Sequence, residues 1–203
     1  MPIRNEREYR NLGAFEIRQE EPEADLVIGY ASTFDTYELF EDPDFGKVYE
    51  RISPQAFDRA DMSDVVFLRD HAGRVLARTK NGSIKLSTDE HGLLTETNLG
   101  LTSASKEMLE DIRVGNYSQM SFSFTVESDH WEGNVRVIDQ IRKLFDISAV
   151  AFPANPYTDI GVSARDLFHG EMERQAERLA NEKRQKDRAR LALKIKLMKE
   201  GKE

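Results

Sequence analysis

The stretch Met120-Ser121-Phe122-Ser123-Phe124 alternates apolar and hydroxyl side chains residue by residue. On a strand, successive side chains point to opposite sides of the sheet. Met120, Phe122, Phe124 and Val126 therefore share one face, and Ser121, Ser123 and Thr125 the other. The first face suits a core. The second is expected to be the wet face, presenting bare hydroxyls. A strand with one buried side needs a sheet around it, and the rest of the chain offers one.

Residues 1–23 are polar and read as a loose lead-in. Ala24 to Ala31 reads as a strand, followed by an acidic loop to Gly46 and a short strand over Val48 to Ile52. Ser53-Pro54 is expected to open a short helix, with serine as N-cap and proline in the first helical position. Val65 to Leu68 is a buried-strand candidate that runs into Arg69-Asp70-His71. A meander follows: Val75 to Lys80, a hairpin turn at Asn81-Gly82, Ser83 to Ser87, a turn at Asp89-Glu90-His91-Gly92, then Leu93 to Leu99. Thr102 can cap a helix whose Ala104, Met108, Leu109 and Ile112 lie on one face, with Gly115 as its stop. After the Ser121 strand come a polar loop holding Trp131, a strand at Val135 to Ile138, and a last strand from Leu144 to Phe152. The expected fold is α+β and mostly β, a small closed or nearly closed barrel of about six to eight short strands with flanking helices.

From Ala164 the texture changes to Arg, Lys, Glu, Gln and Ala, with no glycine between Gly170 and Gly201 and no proline. Residues 164–203 hold 12 of the 29 basic and 8 of the 37 acidic residues, leaving 17 and 29 in the remainder. The balance is thus +4 in the tail against −12 in the body. An acidic body argues against specific nucleic-acid binding. Leu191, Ile195 and Met198 fall at helical spacing in the tail, which reads as a charged helix that buries little by itself. The domains are accordingly a lead-in over 1–23, a body over 24–163 and a tail over 164–203.

Cysteine is absent, which excludes a disulfide framework, a thiol nucleophile and thiolate metal sites. Four histidines, His71, His91, His130 and His169, lie far apart without ligand spacing, so neither metal nor cofactor is expected. No apolar run approaches the roughly 20 residues that span a bilayer. The charged first ten residues lack a signal-peptide core, so the cytoplasm is the expected compartment.

A serine hydroxyl needs a base to become a nucleophile, and histidine, ordinarily titrating near 6.5, suits that work. The base in turn needs a group that holds its tautomer. His71, at the exit of a buried strand, can be fixed and still reach solvent. Asp146 shares a strand face with Leu144, Ser148 and Val150, where a carboxylate requires a partner such as a histidine or Arg142. Ser118 and Ser123 rival Ser121, and Asp70 rivals Asp146, although as a strand neighbour of His71 it points the other way. There is no Gly-x-Ser-x-Gly elbow or phosphate loop. Pattern alone leaves a mostly β domain with an optional Ser/His site.

The sequence resembles the tailed-phage prohead (capsid maturation) protease family. The resemblance is carried by Ile28-Gly29-Tyr30-Ala31-Ser32-Thr33-Phe34, by Tyr49-Glu50-Arg51-Ile52-Ser53-Pro54-Gln55-Ala56-Phe57, and by Val66-Phe67-Leu68-Arg69-Asp70-His71 leading to Val75-Leu76-Ala77-Arg78-Thr79. It continues through Asp89-Glu90-His91-Gly92-Leu93, Gly115-Asn116-Tyr117-Ser118-Gln119-Met120-Ser121-Phe122-Ser123-Phe124 and Leu144-Phe145-Asp146-Ile147-Ser148-Ala149-Val150-Ala151-Phe152-Pro153-Ala154. These segments stand in order, with the family's spacing, over roughly residues 24–160.

The resemblance implies a serine endopeptidase with His71 as base, Ser121 as nucleophile and Asp146, where the family often has glutamate, as third member. Glycine often stands in the family where Ser123 stands here. The family is similar in fold to herpesvirus assemblins, which use a second histidine as third member and act as dimers. No histidine lies near position 146 here, which favours a carboxylate. The oxyanion site is expected in the loop after the last strand, at Ala154 and Asn155. Implied partners are the major capsid protein with its scaffolding segment and the protease itself, by autocleavage and as a possible homodimer. The implied location is the assembling prohead in the host bacterial cytoplasm. Two other readings are a non-enzymatic assembly factor of the same fold and an esterase-like hydrolase.

Overall fold

A computed structural model describes residues 6–16, 25–151 and 162–200. The chain divides into two compact units, Ile3–Gly161 and Val162–Glu203. Among its described residues the first holds ten strands in one sheet: β1 (Glu8–Glu16), β2 (Leu26–Thr33), β3 (Tyr37–Asp42), β4 (Gly46–Ile52), β5 (Val66–Arg69), β6 (Ala72–Arg78), β7 (Ile84–Thr88), β8 (Gly92–Asn98), β9 (Gln119–Glu132) and β10 (Val135–Val150). Its helix α1 (Ser103–Arg113) falls between β8 and β9. The second unit holds α2 (Val162–Glu200).

The sheet runs β3-β4-β10-β9-β1-β2-β8-β7, with β5 on β10 and β6 on β5. It is open, which corrects the expected closed barrel of six to eight short strands. The long β9–β10 hairpin is its spine. The outer edge of β10 carries β4 in parallel along Val135 to Ile138 and then β5 along Asp146 to Ala149. One edge thus serves two strands in tandem, and the ends of the row, β3 and β7, do not pair with each other.

The core lies against the apolar face of β9. Met120, Phe122, Phe124, Phe67, Ile147 and Leu144 are fully buried there, with the Phe122 and Phe124 rings stacked 4.9 Å apart. α1 forms as its sequence dictates. Thr102 caps it by accepting from the Ser105 N–H, Met108, Leu109 and Ile112 are buried, and the backbone turns left-handed at Gly115 (φ +84°).

Several local expectations are corrected. The lead-in contains β1, which sits in the middle of the sheet between β9 and β2. The acidic loop contains β3, whose Leu39 and Phe40 are both buried because a register shift between Glu38 and Phe40 breaks the alternation. Ser53-Pro54 opens turns closed by Ala56 N–H to Ser53 O and Asp58 N–H to Gln55 O, not a helix. Thr79–Asn81 is a 3₁₀ turn instead of a hairpin, since β6 pairs with β5 and β7 with β8. The polar loop around Trp131 is strand up to Glu132, because a tight turn at Gly133 (φ +63°) and Asn134 is enough to reverse the chain.

The residues at the start of β1 enter the sheet as charges. Arg10 is buried and donates to Glu50 (Nη2 to Oε2, 2.9 Å) and to Glu8 (2.6 Å). Arg136, also buried, donates to Glu8 (2.7 Å), Glu50 (3.1 Å) and Asp129 (2.7 Å), and Tyr37 donates its hydroxyl to Glu50. Burial pushes the Glu8 carboxyl up, but Arg10 and Arg136 outweigh it and hold it at about 2. α2 is a charged helix of 39 residues, about 60 Å long, on which Leu179 and Leu191 are exposed.

A carboxyl lowered on folding stabilises above its unfolded pKa, and that stabilisation fades as pH falls through the folded value. Glu8→Gln is therefore expected to lower stability at pH 7 by about 3 kcal/mol. In urea unfolding followed by circular dichroism, the gap to the parent should close between about pH 4.5 and pH 2.

Candidate active site

The register of β9 against β10 sets out the site. Ser121 pairs with Ser148 and Ser123 with Asp146, so four polar side chains form a square on the sheet face opposite the core. That face is not wet, which corrects the expectation of bare hydroxyls. Ser121, Ser123, Asp146 and Ser148 are all fully buried.

His71 reaches this square from a turn. β5 and β6 are joined by Asp70 and His71, with Arg69 paired to Ala72, and both turn residues are left-handed (φ +45° and +58°). This is the two-residue hairpin geometry that matches strand twist, and aspartate and histidine are among the non-glycine residues found in it more often. The conformation costs about 1–3 kcal/mol per residue and needs outside support. The Asp70 N–H donates to Ala149 O (2.9 Å), the His71 N–H to Ser148 Oγ (3.2 Å), and Asp70 Oδ1 accepts from the Ala151 N–H (3.2 Å). Asp70 thus holds the turn and does not pair with the His71 ring.

The ring bridges the square. His71 Nδ1 lies 2.6 Å from Asp146 Oδ1, and Nε2 lies 2.6 Å from Ser121 Oγ. A carboxylate can only accept, so Nδ1 carries a hydrogen and, in neutral imidazole, Nε2 is the acceptor. Asp146 Oδ1 also accepts from Ser148 Oγ (2.8 Å), and Oδ2 from Ser123 Oγ and Arg7 Nη2. Burial pushes the Asp146 carboxyl up, but its hydrogen bonds from His71, Ser123 and Ser148 outweigh that and hold it below the ordinary carboxylate range. The main-chain oxygen of Arg10 is a second acceptor within reach of the single Ser121 hydroxyl hydrogen, 2.9 Å from Oγ.

The structure thus brings His71, Ser121 and Asp146 together and leaves the rivals apart. Ser118 is exposed ahead of β9, Ser123 touches Asp146 but not His71, and Arg142 reaches Glu127 (3.4 Å). His91 and His130 are exposed. Ala154 and Asn155, expected at the oxyanion site, lie outside the described residues. Among those described, no group of His, Asp or Glu side chains is placed to hold a metal ion, and no helix is long and apolar enough to cross a membrane. Ser148 and Arg7 are site residues that sequence reasoning gave no role. Ser148 carried a signal, two residues from Asp146 on one strand face, whereas Arg7 lay in a segment with no apolar pattern.

Hydroxyl, imidazole and carboxylate in hydrogen-bonded sequence are the arrangement of serine hydrolases. The profile of the Caudovirus prohead serine protease family matches residues 13–173, most of the chain. The chain belongs to that family: it is a serine protease of the kind that matures phage proheads. No curated protein and no solved structure gives a significant match.

Because this turn places the His71 ring, Asp70→Val, which puts a β-branched residue at a left-handed position, is expected to cost about 2 kcal/mol. A lowered urea midpoint together with reduced peptidase activity of the still-folded fraction checks this.

Proposed function

We propose that Ser121, His71 and Asp146 perform the peptide-bond cleavage. The observation that carries this is the unbroken row from Asp146 Oδ1 through the His71 ring to Ser121 Oγ, with 2.6 Å at each junction. Ser121 Oγ attacks the scissile carbonyl carbon as His71 Nε2 takes its proton. The tetrahedral adduct collapses, the C–N bond breaks, and His71 returns the proton to the leaving amine. Water then repeats the sequence on the acyl-enzyme, restoring Ser121 and releasing the new carboxyl end. Asp146 holds the Nδ1–H tautomer and balances the imidazolium. Main-chain N–H groups stabilise the oxyanion. We assign them to Ala154 and Asn155, four and five residues beyond the end of β10.

Ser121→Ala and His71→Ala should each lose about six orders of magnitude in kcat, and Asp146→Asn about four, as in other triads. Ser123→Ala should lose far less. These are read from peptide cleavage by purified variants of parental melting temperature. Equal losses for Ser121→Ala and Ser123→Ala would remove Ser121 as nucleophile.

The substrates we propose are the scaffolding segment of the major capsid protein and the protease itself, cleaved inside the assembling prohead. The tail from about Ala164 onward is read as a removable assembly segment. Supporting this are its reversed charge, the division of the chain at Gly161/Val162, and the exposed Leu191 on α2. The family match runs to residue 173, some way into α2. Gly161-Val162-Ser163-Ala164 supplies small residues for self-cleavage. A chain ending at Ser163 is expected to stay soluble and cleave peptide but to enter proheads poorly, measured by co-assembly with the capsid protein. An unfolded product would place the tail within the catalytic fold.

A further inference from the structure

The beginning of β1, with the residue before it, lies over the reacting groups. Its side chains alternate: Glu8 and Arg10 join the ionic cluster, while Arg7 and Tyr9 face the site. The Tyr9 ring stands edge-on to the His71 ring at 4.7 Å. Arg7 packs over the Phe145 ring (4.6 Å), donates to Ser123 Oγ (2.7 and 3.0 Å) and is paired with Asp146.

Two consequences follow for the chemistry. The Ser121 hydroxyl has one hydrogen and two acceptors within reach, His71 Nε2 at 2.6 Å and the Arg10 carbonyl oxygen at 2.9 Å. Activation needs that hydrogen on Nε2, so Arg10 competes with the base for it. A scissile carbonyl must also come within about 3–3.5 Å of Ser121 Oγ. The Arg10 carbonyl already stands there, and Ser121 has no exposed surface. Arg7 adds a positive charge at the carboxylate that must balance the imidazolium.

We propose that residues Arg7–Arg10 occupy the peptide-binding track of the site, and that substrate enters as an extended strand on the same edge of β9, in their place. This rests on Ser121 being the nucleophile. Glu8 to Asn11 pair antiparallel with Ser121 to Phe124, so their departure frees main-chain donors and acceptors that another extended peptide can take up. The register of β1 on β9 shifts between Asn11 and Gly13, and beyond that shift Phe15 and Glu16 pair with β2. The segment ahead of the shift can therefore leave while the rest of β1 holds the sheet. The ligand class is an unfolded peptide segment able to lie straight for about four residues. Its apparent affinity is reduced by the fraction of molecules that are open.

The test uses the full chain and a small fluorophosphonate, with labelling followed by intact mass and placed by peptide mapping. Arg7→Ala removes the hold on the site face. Glu8→Gln loosens the same segment from the opposite face without touching Ser121, His71 or Asp146. Each should label Ser121 about tenfold faster than the parent. Unchanged or slower labelling in either variant overturns the proposal, a slower Arg7→Ala meaning that Arg7 positions Asp146 productively. A second measurement needs no variant. When a peptide phosphonate labels the parent, amide hydrogens of Glu8 to Asn11 should lose exchange protection while those of Phe15 and Glu16 keep theirs. Retained protection over Glu8 to Asn11 overturns the proposal. Absence of any label on Ser121 in all three proteins overturns the nucleophile assignment itself, and the proposal with it.

Discussion

The buried charge of Asp146 is the constraint on which the site depends. A carboxylate wholly withdrawn from water carries a penalty of several kcal/mol unless its acceptor positions are filled. Here they are filled from four places in the chain: the β5–β6 turn, β9, β10 itself and the residues ahead of β1. One group thus draws together pieces separated by as many as 139 residues. His71, Ser123 and Ser148 among these donors keep it ionised, which is the state a histidine partner requires.

The start of β1 is held by charge on both faces. Arg7 meets the buried carboxylate on one side, and Glu8 and Arg10 meet Glu50 and Arg136 on the other. Buried ion pairs are poor evidence of net stability, because desolvation consumes most of the attraction. They are better at discrimination. A strand carrying Arg-Glu-Tyr-Arg in this register satisfies both clusters, whereas a slip of one residue would turn every charge to the wrong face.

Much of this was legible in advance, for reasons that differ by residue. The period-two pattern around Ser121 sorted core from polar face correctly, since no register shift interrupts Ser121 to Phe124 against β1. The Thr102 cap and the Met108, Leu109, Ile112 stripe located α1. Asp146 stood out as a charge on an otherwise apolar strand, but Leu144, expected on its face, lies on the core face instead, because a register shift between the two breaks the alternation. What escaped notice had its cause in long-range pairing. The start of β1, Glu8 to Asn11, shows no apolar alternation because Glu8 and Arg10 are paired with charges far away in sequence. β3 hides its alternation behind a bulge. The polar face of β9 looked wet because the groups that cover it, His71, Tyr9 and Arg7, come from elsewhere. The barrel was expected because short strands suggest closure, and nothing local reveals that one edge of β10 is shared by β4 and β5.

The turn at Asp70 and His71 has a further consequence. Loops at active sites ordinarily absorb insertions and deletions, because rigid elements carry the framework and the loop only spans it. Here His71, the base we propose, is itself one of the two residues of the tightest possible connection, and its ring position follows from left-handed backbone angles at both. One added residue would change the turn class and swing the imidazole away from the square of side chains on β9 and β10. The length of this connection therefore fixes the proposed triad as much as any of its side chains does. The Gly133-Asn134 turn, at the far end of the β9–β10 hairpin, has a different duty, as Asn134 ties β4 in place by donating to Lys47 O and accepting from the Tyr49 N–H.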